Sequence, residues 1–484
     1  MKTVLIQKQL LEDLTIALKK HNSNNPKPKL KLDVAVFFLS LFNSIPTNFR
    51  EEEQTDIISI DSQRLKSYHA SYNKYLAFFV KEDFIKKEKD YGADIHECKS
   101  FVLSARFLTS PLVSYNIESI TLLKKFDSSG RDSIQQEKNK FCQVKRPHLV
   151  KFFDDRLTIN AIEAFNEINQ NTITAKAKRK RNASMVLIKE FIKQEWKYSI
   201  KPNSDNRLHT NLTRTPKVIR KHIRYDGHPI VGVDLKTSQP FFLCVLIVAI
   251  VKKDKQLLKQ INAIEILDET TINKLFNLDL DINELREFVL TVLNKDLYDE
   301  FEKKLNISFD EKGQPYRMVS NYKRNKKRKS RKKREIEKRH RTKKEYKTSR
   351  DLVKAVLMEI FYSKPKTTIK EAKVFRETYP SIHKIFVCLD ENKINFSFLL
   401  QHIEAHILLD CVAKEIHVKY PEMPLFSIHD ALATTTKFVS QLKKEMKSII
   451  KELTSIKPKI ELEDWKEIKN TDNNNFITPN VACF

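Results

Sequence analysis

The stretch VGVDLKTSQPFFLCVLIVAIVKK, Val231 to Lys253, closes a short β-type run with one acid, Asp234, and continues into an apolar segment that reaches Val251. A carboxylate carried into a core without a partner costs several kcal/mol or changes its protonation state. Asp234 therefore predicts a counter-charge, a metal or an opening to water. Just upstream, IRYDGHPIV sets Asp226-Gly227 between two β-type runs, a hairpin signal that delivers Val231 to Asp234 as a strand. The apolar run after Gln239 falls short of the ~20 residues of a membrane span and reads as core.

Composition bounds the partners. The chain has 484 residues, 40% of them hydrophobic, enough for a few domains with real cores. Lys and Arg total 89 against 62 Asp and Glu, and the net charge of +27 makes a polyanion the first partner to expect, nucleic acid ahead of a membrane surface. Cys98, Cys142, Cys244, Cys388, Cys411 and Cys483 stand far apart without metal-type spacing, as in a reducing compartment. The opening MKTVLIQKQLLEDLTIALKK spreads charge among its apolar positions and reads as an amphipathic helix, not a secretory signal. The expectation is a cytoplasmic, nucleoid-associated protein with no membrane segment.

Three further stretches stand out. Residues 1–170 show helical periodicity, as in VAVFFLSLFNSI from Val34, and carry no recognisable chemistry. Residues 321–349 hold sixteen Lys and Arg against three Glu, a run that attracts phosphate by charge alone and is otherwise a solvated loop. RDLVKAVLMEIFYSKPK follows from Arg350 with no breaker before Pro365, so it is a helix, and Arg350, Lys354, Met358 and Tyr362 fall at steps of four on one face. Taken alone, that stripe is a solvated face. Finally, PLFSIHDALATTT predicts a hairpin with His429-Asp430 at its bend, a second acid at a strand end.

The order of these motifs resembles the palm and fingers of family A DNA polymerases and of single-subunit phage and mitochondrial RNA polymerases, over about Arg207 to Leu453. Asp234 followed by Ser238 and Gln239 looks like their first motif, and the R-x3-K-x3-M-x3-Y helix and His429-Asp430 like the next two. Upstream, NRLHTNLTRTP resembles their primer-template contact, with Arg207 and Thr210 in place and Asn206 where the family has Gly. Ser363 likewise replaces the Gly usual after the Tyr. The resemblance implies an α+β, mostly helical, right-hand-like polymerase with an antiparallel β palm, helical fingers and a helical N-terminal region. Its parts would be an N-terminal region of unknown role (1–170), a basic thumb-like contact region (171–225), the first part of the palm (226–320), the basic loop (321–349), fingers helices (350–400), the second part of the palm (401–470) and a tail (471–484).

It also implies a chemistry: nucleotide addition to a 3′-hydroxyl with pyrophosphate release. Asp234 and Asp430 would hold two Mg²⁺, or Mn²⁺, since hard oxygen ligands suit these ions and in-line displacement at phosphorus needs charge neutralised on both sides. Arg350 and Lys354 would face the triphosphate, with Lys354 able to protonate the leaving group. Met358 and Tyr362 would line the nucleotide, Tyr362 as a stacking face. Either Gln401 or His402 would complete that pocket, and His429 would touch the primer end or only support its hairpin. The partners are nucleoside triphosphates and a template with a primer or nascent strand.

Product type divides the motifs. Gln239 stands where the DNA enzymes usually place a Glu that blocks the ribose 2′-hydroxyl, Ala431 where they place Glu, and Met358 resembles the RNA enzymes. These departures favour ribonucleotides, although Gln239 is large enough to crowd a 2′-hydroxyl. The competing expectations are a DNA polymerase of family A type and a nucleic-acid-binding protein with a degenerate palm.

Overall fold

A computed structural model describes residues 2–25, 29–44, 58–89, 99–128, 131–170, 175–202, 204–321, 340–367, 369–463 and 465. The fold is α+β, mostly helical, with antiparallel sheets. One apolar core extends from Ile6 to Phe126 and a second from Cys142 to Trp465, so the region expected over residues 1–170 contributes to both.

The N-terminal region, which the sequence led us to expect as helical, also contains strands. Lys2–Gln7 is a strand paired antiparallel with Leu112–Ile117, and Lys99–Leu103 lies between Ile58–Ile60 and Ile85–Lys89 in a second small sheet. Thr3, Val4 and Ile6 are β-branched and suit an extended backbone. The amphipathic helix begins only at Lys8 and buries Leu10, Leu14 and Leu18. Short strands among charged residues leave too little alternation for periodicity to detect.

The second core is organised by a six-stranded sheet. Its strands are β1 (Leu157–Ile159), β2 (Ile223–Tyr225), β3 (His228–Leu235), β4 (Phe426–Ile428), β5 (Ala431–Thr435) and β6 (Ile460–Glu463), in the order β4-β5-β3-β2-β1, with β6 also on β3. The β2–β3 turn is Asp226-Gly227, both at positive φ (50° and 73°), the backbone that a two-residue turn matched to strand twist requires. Side chains alternate across a strand, so Val233 and Leu235 share one face with Leu432, and all three are buried. The helix Val439–Thr454 packs against β3 and β5. The opposite face presents Gly232 and Asp234, with Ala433 and Ala431 directly across on β5.

The apolar segment after Asp234 is helix α1 (Ser238–Val251), buried on nearly every side. It packs on α3 (Phe396–Ala405), and α2 is the helix Ser349–Tyr362. The helical run Phe396–Lys419 is long and apolar enough to cross a membrane, but 78% of its apolar window is buried inside the protein, so no membrane is indicated. The basic run expected as a loop lies outside the described residues from 322 to 339. Its flanks, Pro315–Asn321 and His340–Glu345, pair as antiparallel strands, and buried Arg317 ties the first to Glu359 of α2. The expected tail, 471–484, is outside the described residues.

One buried ion pair joins this sheet region to the rest. Arg146, with no exposed surface, donates to both carboxylate oxygens of Asp410 at 2.6 and 2.8 Å and, through Nη1, to the carbonyl of Asn206 at 2.8 Å. Asp410 lies in a π-helical stretch, His406–Val412, that continues α3. The bidentate pair thus fixes the residue that precedes Arg207. Removing one partner leaves a desolvated charge, so Arg146→Met is expected to destabilise the protein by about 3 kcal/mol or more in denaturant unfolding, while Arg146→Met with Asp410→Leu recovers much of the loss. Equal stability of wild type and the single variant would show that the pair holds nothing in place.

Candidate active site

Two turns of chain bring the acids together. β3 and β5 pair so that Asp234 lies directly opposite Ala431, and Asp430 immediately precedes Ala431 in the two-residue turn between β4 and β5. His429, the first residue of that turn, takes φ +55°, the left-handed backbone a tight hairpin demands. Burial, with Arg220 and Arg207 close by, holds its ring below the ordinary imidazole value. The small residues on this face, Gly232, Ala431 and Ala433, are buried beside the acids. At Gly232 a β-carbon would come within 3.2 Å of Glu463 Cβ and Oε2, so glycine lets β6 bring a further acid to the same face.

The negative charge is undercompensated. Burial first, then the neighbouring charges of Asp430 and Glu463, push the Asp234 carboxyl up to about 7, against the pull of Lys354. Glu463 itself goes the other way: burial works to raise it, but the hydrogen bond and charge of Lys217, at 2.5 Å, bring it below the usual range. The question set by Asp234 has a physical answer in its like-charged neighbours, and such a cluster attracts a cation.

Helix α2 lies beside this cluster. It starts because Thr348 Oγ1 accepts from the backbone N–H of Asp351 at 3.1 Å, and it buries Leu352, Val353, Val356, Leu357, Ile360 and Phe361. Its other stripe carries Arg350, Lys354, Met358 and Tyr362. The charge of Lys354 acts on Asp234. Arg350 is paired with Asp296 at 2.7 Å and Asp299 at 2.8 Å and lies over the Tyr298 ring at 5.0 Å. Burial pushes the Tyr298 hydroxyl up to about 12, with Arg350 opposing and Asp430 adding, so this end of α2 also borders the acids. Met358 packs partly buried on the core. The Tyr362 ring is 49% exposed, and its hydroxyl accepts from Gln401 Nε2 at 2.6 Å.

Several expected residues take other roles. His402 turns away from Tyr362 toward Glu265 and Asn262, at 3.2 and 3.3 Å, so of the two candidates Gln401 is the one that meets Tyr362. Thr210 is buried and forms a capping box with Thr213, which leaves it shaping the chain instead of presenting a contact. Arg207 donates to Glu404 while its charge also meets Asp430 and Tyr362. Ser238 and Gln239 donate to the same Glu404. Glu404 was the residue the sequence reading passed over. Its signal was present in FLLQHIEAHILL, a lone acid on an apolar helix, the same anomaly that singled out Asp234.

The donor set fits Mg²⁺. Asp234 and Asp430 offer hard oxygens without a thiol beside them and leave positions for water and substrate oxygens, as this ion prefers. Among the described residues no group of three or more His, Cys, Asp or Glu is arranged to hold a metal. No family model matches the chain, and a search of curated proteins returns no match.

The raised carboxyl has a measurable consequence in the metal-free protein. The folded state keeps the Asp234 proton to about pH 7, whereas the unfolded chain releases it near the ordinary aspartate value of 3.8, so this group lowers stability as pH rises through that window. Asp234→Asn should raise the metal-free thermal midpoint at pH 8, with the gain shrinking to nothing near pH 4. A gain independent of pH would mean that the shift is absent.

Proposed function

We propose that the protein is a template-directed nucleotidyltransferase that extends a 3′-hydroxyl with nucleotides and releases pyrophosphate. The observation that carries this reading is the meeting of Asp234, on β3, and Asp430, in the turn that leads into the adjacent β5, beside the cationic stripe of α2. It is the arrangement expected from the resemblance to family A DNA polymerases and single-subunit RNA polymerases. Bound by these two acids, Mg²⁺ would neutralise charge on the reacting phosphate and favour the attacking hydroxyl's deprotonated form.

The chain's own residues supply the rest. Lys354 holds the triphosphate and gives a proton to the departing pyrophosphate oxygen. Arg350, whose fork matches phosphate oxygens, exchanges its aspartate partners for the substrate. Tyr362 offers its open ring face to a base, held in orientation by Gln401. Arg207, anchored by Glu404 and Arg146, lies near Asp430 where the primer end would arrive. The net charge of +27 draws the nucleic acid and makes its binding steeply salt-dependent.

Primer extension with labelled NTPs and dNTPs on primed DNA and RNA templates tests this. Incorporation is expected with at least one pairing. It should fall about a thousandfold in Asp234→Ala and in Asp430→Ala, the equivalent of several kcal/mol of lost charge stabilisation, and roughly a hundredfold in Lys354→Ala. Nucleic-acid binding without incorporation in any pairing would favour the alternative, a binding protein on a degenerate palm.

A further inference from the structure

The end of the six-stranded sheet away from the acids carries a group of side chains that the chemistry above does not use. A cavity of about 400 Å³ lies where the Asp226-Gly227 turn meets the end of β5 and the loop before β4, a size typical of small-molecule sites. Three of its rings each carry a cation. Lys151 Nζ is 4.8 Å from the centre of the Phe152 ring, the Arg156 guanidinium 4.8 Å from that of Tyr225, and Lys437 Nζ 5.0 Å from that of Phe438. His228, at the start of β3, also lines the cavity, and Asp234 is six residues further along that strand, roughly 20 Å away. An occupant here is therefore separate from the reacting nucleotide.

The charges around the cavity are not all spent. Arg156 pairs with Asp154 at 2.6 Å and faces Asp226 at 4.0 Å. Tyr225 covers one side of its guanidinium, and the side chain is still half exposed. Lys151 Nζ donates to the Pro421 carbonyl at 3.2 Å, and burial, then the Arg156 charge, hold its ammonium below the ordinary value. Among the described residues no carboxylate pairs with Lys151 or Lys437, and no cation pairs with Glu422, which is exposed and lines the same cavity. A bare anion would leave the planar cation and Glu422 unused, and an apolar ligand would leave the lysines unmatched. A nucleotide answers all three: phosphate oxygens for the lysines, a flat base for the Arg156 plane, and an exocyclic amine that a carboxylate accepts.

We infer that this cavity is a second nucleotide site, which holds a nucleoside phosphate with its phosphate on Lys151 and Lys437 and its base against Arg156. The ligand is either a free nucleotide or one nucleotide of a single strand that passes this end of the sheet, since both present the same groups. β3 and β5, the strands that lead to Asp234 and away from Asp430, both have their other ends at the cavity. The site needs no metal, because its contacts are ammonium groups and a guanidinium.

The test is calorimetric titration of the full-length protein with AMP, with inorganic phosphate and with a single-stranded pentanucleotide, all in EDTA, which denies Asp234 and Asp430 a cation. AMP should bind saturably and more tightly than phosphate, and Asp234→Ala should bind it as wild type does. Lys151→Glu with Lys437→Glu should weaken binding about tenfold or more. Both lysines are exposed, so the pair should melt as wild type does. Lys19→Glu with Lys312→Glu, two exposed lysines elsewhere, makes the same change in net charge and should bind as wild type. Binding of AMP assigns a free nucleotide; binding of the pentanucleotide alone, lost in the Lys151 and Lys437 pair, assigns a nucleotide within a strand. No saturable binding of either, phosphate binding as tight as that of AMP, or equal affinities in the two lysine pairs overturns the inference. None of these results bears on the polymerase reading, which primer extension tests separately.

Discussion

The structure depends on bringing two like charges close together. Asp234 ends one strand, Asp430 sits in the turn that opens its neighbour, and antiparallel pairing leaves them one residue out of direct register. Asp234 is also largely buried, and burial first, then the charges of Asp430 and Glu463, push its carboxyl up to about 7. A fold retains such a pair against its own stability when something outside the chain completes it, and strained charge of this kind clusters at functional sites. The small residue Gly232 lets β6 bring Glu463 close on the same face.

The surrounding parts follow as supports. Arg146 and Asp410 lock the carbonyl next to Arg207, and Glu404 gathers Arg207, Ser238 and Gln239 into one polar wall. Arg146 and Glu404 are buried and each is paired with a partly buried opposite charge, the condition under which burial of an ion is tolerated. The wall meets the cationic helix at Tyr362, so Tyr362 and the Arg350–Lys354 end are held at fixed spacing by one element. A buried hydrogen-bond network of this kind favours a single geometry over an ensemble of them.

Local signals with a strong mechanism were legible before any coordinates. Asp226-Gly227 and His429-Asp430 mark turns whose backbone demands are written in residue type, and the four-residue stripe from Arg350 follows from helical spacing. What was not legible depends on register and on distant pairing. Whether Gln401 or His402 faces Tyr362 is a rotation of about 100° around one helix, and only packing against Glu265 and Tyr362 decides it. Glu404 and Glu463 come from far along the chain, and nothing local ties them to Asp234. The strand at Lys2–Gln7 escaped because its partner, Leu112–Ile117, lies more than a hundred residues away.

The central claim is that the two acids share a divalent cation, and Mn²⁺ binding followed by electron paramagnetic resonance addresses it without requiring turnover. Titration of the full-length protein with a primed template and an unreactive nucleotide analogue should show saturable Mn²⁺ uptake that Mg²⁺ displaces. Asp234→Ala and Asp430→Ala should each weaken that uptake about tenfold or more. Indistinguishable uptake by wild type and both variants would contradict the account.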